Sequence, residues 1–215
     1  MLNHHPLPST FYARPTLEVA HDLVGKILVH QLGPHTLAGI ITETEAYGGS
    51  DDPASHAFRG KTPRNFPMFG PVGHSYVYFI YGNHFCFNIV AYAQPANAGA
   101  VLIRAIEPVA GIDEMLKRRN LAIPKNLSNG PGKLTQALGI TQEHTDLTLT
   151  AHNATLAVLD SNWEGAIIAT PRIGIRVGTE QLWRFVIQPH SHTTPIPLLC
   201  QPIHLVSSIE RIIST

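Results

Sequence analysis

Residues 41–60 read ITETEAYGGSDDPASHAFRG. The stretch opens as a strand does, with Ile40 and Ile41 apolar. It then sets Glu43, Glu45 and Tyr47 two apart, so that in an extended chain those three side chains share one face. Two carboxylates and an aromatic ring are an odd choice for a strand that faces a core. A turn-rich loop carrying Asp51, Asp52 and His56 follows at once. The stretch is either a solvated sheet face or part of a reaction site, and the rest of the chain bears on which.

The chain has 215 residues, 44% hydrophobic and 14% charged. That composition supports a packed core and argues against disorder. No apolar run approaches the length of a membrane span, and the opening MLNHHPLPSTFYARP lacks the apolar stretch of a secretory signal. Cys86 and Cys200 make neither a disulfide framework nor a zinc spacing. Cys86 lies in an apolar run and reads as a small buried hydrophobe. A cytosolic or nucleoid location is expected.

Formal net charge is zero, but it is unevenly spread. Residues 1–60 hold three Lys/Arg against six Asp/Glu, residues 61–140 eight against three, and residues 141–215 four against six. A basic middle can steer a polyanion even when the whole molecule is neutral. Within it, Lys117, Arg118 and Arg119 suit the C-terminal end of a helix, where cations complement the dipole.

Helical spacing is expected over 16–24, with Thr16 as N-cap and Gly25 as stop. KILVHQL and LAGIITETEAY read as a hairpin joined by GPHT, and HSYVYFIY and FCFNIVAY as a second around Gly82-Asn83. AVLIRAI is a further strand, and GIDEMLKRR and KLTQALG are helices. Short strands follow, ending with PRIGIRVG, then a short TEQLWRF helix and an irregular tail. Residues 48–73 form a loop long enough to suggest function. With no internal repeat and no linker, residues 1–215 read as one α+β domain with mostly antiparallel strands; residues 1–11 and 190–215 are the least patterned part of it.

Four polar residues interrupt this apolar pattern. They are Glu45, Asn88 between Phe87 and Ile89, Arg104 between Ile103 and Ala105, and His56 in the long loop. A buried charge is costly unless paired. An Arg104–Glu45 ion pair that merely pins two strands is one account of the pattern. The other is a reaction site, since Tyr47, Tyr76, Tyr78 and Tyr81 fall on the same strands and aromatic rings stack flat ligands such as nucleobases.

ETEAY, DDPASHAFRG, TPRN, MFG, YVYFIYG, FCFN, LIRAIEP and NGPGKL occur in that order. Together they resemble the alkyladenine (3-methyladenine) DNA glycosylase family, in its bacterial form, from about residue 12 to about residue 187. The resemblance implies a single mixed α+β domain with a curved, mostly antiparallel sheet flanked by helices. It implies a monofunctional enzyme, expected as a monomer, acting on double-stranded DNA that contains a damaged purine: 3-methyladenine, 7-methylguanine, hypoxanthine or ethenoadenine. No cofactor, metal or lyase step is implied. By resemblance Glu45 activates water, Arg104 and the Ile173 carbonyl help hold that water, and Tyr47, His56 and Tyr78 enclose the flipped base. Asn88 crowds the amino group of normal guanine and Tyr81 is the wedge left in the duplex. Lys61, Thr62, Arg64 and Lys133 meet phosphates, with backbone N–H groups near Thr62 and at 130–133 assisting. Glu43 reads as structural.

Two departures and two rivals remain. The tail HSHTTPIPLLCQPIHLVSSIERIIST departs from the family pattern, and the neutral charge is lower than such an enzyme invites. A metal-dependent hydrolase would draw on the His190 and His192 pair or on Asp51, Asp52 and His56, but no full ligand spacing accompanies them. A non-catalytic nucleic-acid-binding module would have little use for a buried carboxylate near phosphate.

Overall fold

The computed structural model describes residues 5–80, 82 and 84–188. Two short helices, α1 (Ser9–Tyr12) and α2 (Thr16–Leu23), precede the hairpin β1 (Ile27–Leu32) and β2 (His35–Tyr47). After the long loop come β3 (Ser75–Ile80), β4 (His84–Val90) and β5 (Ala100–Ala110), then helices α3 (Ile112–Arg119) and α4 (Pro131–Leu138). β6 (Leu156–Leu159), β7 (Ile167–Thr170) and β8 (Arg184–Ile187) complete the set. All strands pair antiparallel in one curled sheet of order β3-β4-β5-β2-β1-β6, with β8 on β2 and β7 on β8. The chain is a mixed α+β fold, as expected.

β2 is the organising strand. Along one edge it pairs with β5 from residue 38 to residue 47. Along the other it pairs with β1 up to Ile40 and with β8 from Glu43 to Glu45. β1 leaves, and β8 takes the vacated edge.

The β2–β5 ladder slips three times, once between Ala38 and Gly39 and twice around Glu43. Ile41 faces Ile106 and Glu43 faces Ala105, so Thr42 is an extra residue on β2. Thr44 faces Ile103, so Arg104 is an extra residue on β5. Such bulges re-aim side chains. Before the slip the odd residues Leu37 and Ile41 lie in the main core; after it the even residues Thr44 and Ala46 are the inward ones, and Glu43, Glu45 and Tyr47 turn to the opposite face. The alternation read from the sequence is real, and the double slip lets one strand carry core on both sides of it.

The main core fills the space between the sheet and the helices. Leu23 of α2, Met115 of α3, and Leu134 and Leu138 of α4 pack with Ile41, Phe87, Ile89, Val101 and Ile103 of the sheet. Gly132 permits the close approach of α4 to β4, because a Cβ there would stand 2.8 Å from the His84 ring. Lys117, Arg118 and Arg119 occupy the last turn of α3, the place their charge suits.

Three local expectations are corrected. Thr16 does not cap α2: Pro15 precedes the first turn, and the Thr16 hydroxyl donates to the Ala91 carbonyl at 2.8 Å, tying the helix to the sheet. The TEQLWRF helix is absent. Residues 179–183 are irregular and Arg184 begins β8, because the β-favouring run RFVI gains pairing on the free edge of β2 and that outweighs a weak helical preference. PRIGIRVG is likewise a turn-rich segment between β7 and β8, with Gly174 at φ 80° and Gly178 at φ 63°.

Candidate active site

The outward face of β2, β3, β4 and β5 and two loops enclose a cavity of about 290 Å³. Its lining includes Tyr47, His56, Tyr76, Tyr78, Asn88 and Arg104, with Met68, Leu102 and Ile173 adding apolar surface. Six polar side chains that the sequence scatters over 58 positions therefore meet at one place.

Glu45 is fully buried beside this cavity. Its Oε1 accepts the backbone N–H of Ile173 at 2.7 Å, and its Oε2 accepts the Tyr47 hydroxyl at 2.8 Å and Arg104 Nη1 at 3.3 Å. An ionised carboxylate offers about four acceptor sites, so Oε1 can still take a water. The donors compensate the charge, which burial would otherwise make very costly.

Glu43, two residues earlier, accepts Arg104 Nε at 2.9 Å and Arg184 Nη1 at 2.8 Å on the same oxygen. Arg104 thus spans both carboxylates. Burial works against its charge, but Glu45 and Glu43 outweigh it and hold the guanidinium firmly protonated. Glu43 is engaged by two arginines, which suits the structural role read for it.

Three aromatic residues and His56 form the wall. Tyr76 and Tyr78 lie 5.3 Å apart between ring centres, and His56 stands edge-on to Tyr78 at 4.7 Å. His56 Nδ1 lies 3.0 Å from the Tyr76 hydroxyl. Burial, followed by the Arg64 charge, lowers the His56 pKa, which favours a neutral ring. Burial pushes the Tyr76 hydroxyl up to about 12. The Tyr78 and Tyr47 hydroxyls are also pushed up, first by burial and in Tyr47 next by the Glu45 charge, so both stay protonated as donors. Cys86 stands across the strand pair from Tyr78, and burial pushes its thiol up. Cys86 is the small buried residue expected, and it also lines the cavity.

Asn88 is buried in β4 and donates Nδ2 to the Tyr76 carbonyl at 2.9 Å. That bond orients the carboxamide on a strand position in the cavity wall.

The loop that delivers His56 is held by Asn65. Its Nδ2 donates to the carbonyls of His56 and Gly60, and its Oδ1 accepts the Thr62 N–H at 2.6 Å. The Thr62 N–H is therefore already used, leaving the hydroxyl as that residue's free donor. Arg64 lies over the Tyr78 ring at 5.9 Å and donates to the Phe79 carbonyl at 3.3 Å. Lys61 is exposed, and Lys133 projects from α4 with its ammonium on Asn129 Oδ1 at 2.8 Å. Tyr81, His190 and His192 lie outside the described residues.

Asp52, a member of the metal-ligand alternative, has both oxygens on the Arg172 guanidinium, at 2.6 Å and 2.8 Å. Among the described residues no group of three or more His, Cys, Asp or Glu is arranged to hold a metal ion. No helix among them is long and apolar enough to cross a membrane.

The structure also brings in residues the sequence did not single out. Arg172, Trp183 and Arg184 stand around Glu43 and Tyr47 although they lie some 130 positions away. Arg172 falls inside PRIGI, where only the Ile173 carbonyl drew attention. No local pattern signals that its side chain is buried.

Chains of similar sequence bear on what this site does. A family model described as methylpurine-DNA glycosylase matches residues 10–191. A Chlorobaculum parvum protein named "Putative 3-methyladenine DNA glycosylase" is 48% identical over 192 residues, 87% of this chain and 91% of its own. A Carboxydothermus hydrogenoformans protein of the same name is 46% identical over 194 residues, 87% of this chain and 98% of its own. Another from Methanoculleus marisnigri is 55% identical over 137 residues, 64% of this chain and 70% of its own.

Proposed function

The chain belongs to the methylpurine-DNA glycosylase family, and we propose that it releases alkylated or deaminated purines from duplex DNA by hydrolysis, with a water that Glu45 activates. The observation that carries this reading is a fully buried carboxylate at the edge of an aromatic-walled cavity of nucleobase scale. A base inside a duplex is out of reach of such a cavity, so the nucleotide must rotate out of the stack.

The flipped purine would lie against the Tyr47 ring, with His56 and Tyr78 closing the other side. A neutral His56 can offer a hydrogen bond to the base edge. Water held on Glu45 Oε1, assisted by Arg104 and the Ile173 carbonyl, would attack C1′. Its proton passes to the carboxylate, its oxygen bonds to C1′, and the C1′–N bond electrons leave with the purine. The carboxylate also stabilises positive charge developing on the sugar. A purine methylated at N3 or N7 is already cationic and departs as a neutral base, whereas ethenoadenine is neutral and must gain a proton to do so. Hypoxanthine needs a proton at N7. No step calls for a metal or an amine nucleophile, so a product without a lyase nick is expected. Lys61, Thr62, Arg64 and Lys133 would meet phosphates, and Tyr81 would fill the gap in the duplex.

The test is incubation of the purified chain with duplexes holding single 3-methyladenine, 7-methylguanine, hypoxanthine or ethenoadenine, followed by alkali to cut at abasic sites. Alkali-dependent cleavage at the lesion is expected. Intact strands for every lesion would overturn the reading, and cleavage before alkali would overturn its monofunctional part.

A further inference from the structure

We infer that Arg172, clamped by Asp52, is a positioning residue that holds Glu45 and the ring of Tyr47 in one working arrangement; the inference rests on the glycosylase reading above. Both side chains are wholly buried. The Arg172 guanidinium binds both oxygens of Asp52 and also donates Nη1 to the Ala46 carbonyl at 2.9 Å. Ala46 is the residue between Glu45 and Tyr47 on β2.

The guanidinium plane is flanked by two rings. Its central carbon lies 4.7 Å from the Tyr47 ring centre and 4.8 Å from that of Trp183. Arg172 therefore backs a ring that lines the cavity. A planar cation stacks on aromatic faces in a way that an ammonium does not.

The contact continues through the backbone. Arg172 and Ile173 lie between β7, which ends at Thr170, and β8, which begins at Arg184, so no strand pairing holds this segment. Arg172 anchors it instead, and the next residue directs its N–H at Glu45 Oε1. On the other side, Asp52 accepts the N–H groups of Gly48 at 3.0 Å and Ala54 at 3.1 Å. Those bonds fold the loop that carries His56. One buried cation thus links the carboxylate, the stacking ring and the base-edge loop.

Charge burial alone does not explain this placement, because an ion pair kept only for cohesion has no need to touch three parts of the cavity. Arg172→Lys keeps the charge opposite Asp52 but loses the fork and the flat face. Trp183→Leu leaves the ion pair intact and removes one flanking ring.

The experiment is single-turnover release of 7-methylguanine from duplex by wild type, Arg172→Lys and Trp183→Leu. The rate constant is read separately from the amplitude, and the fluorescence of a duplex ethenoadenine reports base seating. Small misplacements of reacting groups cost up to roughly a hundredfold in rate, so Arg172→Lys is expected to slow the rate constant by roughly ten- to a hundredfold and to diminish the seating signal. Trp183→Leu should move both readouts in the same direction by less. A purely cohesive role would lower the amplitude, which counts folded enzyme, and leave the rate constant alone; that result overturns the inference. If Arg172→Lys does not fold, an unchanged rate constant in Trp183→Leu overturns it equally. Failure of the wild-type chain to release any lesion overturns this inference and the glycosylase reading together, whereas wild-type release with unchanged variants overturns this inference alone.

Discussion

Arg104 reaches Glu45 at 3.3 Å from a position where the β5 strand slips by one residue. The slip is matched by that at Thr42 on β2, and together they turn Tyr47 and Arg104 onto the cavity lining, with Glu43 and Glu45 held behind them on Arg104. Bulges next to reactive centres commonly serve to aim side chains. Here the consequence is an arginine shared by two carboxylates, one of which also bonds a second arginine, Arg184.

That sharing predicts different outcomes for the two glutamates. Glu43→Gln removes the anion between Arg104 and Arg184, leaving two half-buried cations near each other. Hydrogen bonds to charged groups contribute about 1.5–3 kcal/mol each in favourable cases, and partial exposure trims this. A loss of about 1–3 kcal/mol in urea unfolding is expected, with only a moderate fall in excision. A stability change inside the error of the measurement would mean the Glu43 pairs are dispensable.

Asn88 should control discrimination against guanine. Guanine differs from hypoxanthine by its 2-amino group, and Asn88 is held against the cavity by its bond to the Tyr76 carbonyl. Asn88→Ser shortens the side chain and opens space there. The ratio of guanine to hypoxanthine release on matched duplexes is expected to rise by up to about tenfold. An unchanged ratio in folded protein would locate the gate elsewhere.

Two histidines, the buried His30 and the more exposed His56, give the fold a pH dependence. His30 and His56 both have lowered pKa values, in each case first through burial. An unfolded histidine takes up its proton near pH 6.5, while these two resist until lower pH. Below about 6.5 the unfolded chain therefore binds more protons than the folded one, and stability falls as pH falls. The effect ends below the folded-state values. Melting temperature should drop between pH 7.5 and pH 5.5 (~2 units, on either side of the ordinary value), and His30→Gln should flatten the drop. A profile level across that range in the wild type would contradict the assignment.

Much of the fold was legible because its signals are local. Alternation located β2, β3, β4 and β5, and Gly25, at φ 88°, marks the end of α2 as read. The stretch at 179–185 was misread because its helical spacing is local, whereas the free edge of β2 that claims it is created by the departure of β1. The meeting of Glu45, Tyr47, His56, Tyr78, Asn88 and Arg104 around one cavity followed the motifs in which they stand. Arg172 was not legible. A single arginine between proline and isoleucine has no periodicity, and its meaning comes from two rings and a carboxylate distant in sequence.

The central claim is that Glu45 performs chemistry and does not merely neutralise Arg104. Glu45→Gln keeps the shape and still accepts hydrogen bonds, but it cannot take a proton from water. Single-turnover release of 7-methylguanine from duplex, measured beside equilibrium binding of the same duplex, tests this most directly. The account predicts a fall in release of about 10²–10⁴-fold, with binding preserved. Release at a rate near that of the wild-type enzyme, from folded Glu45→Gln protein that binds the duplex normally, would contradict it.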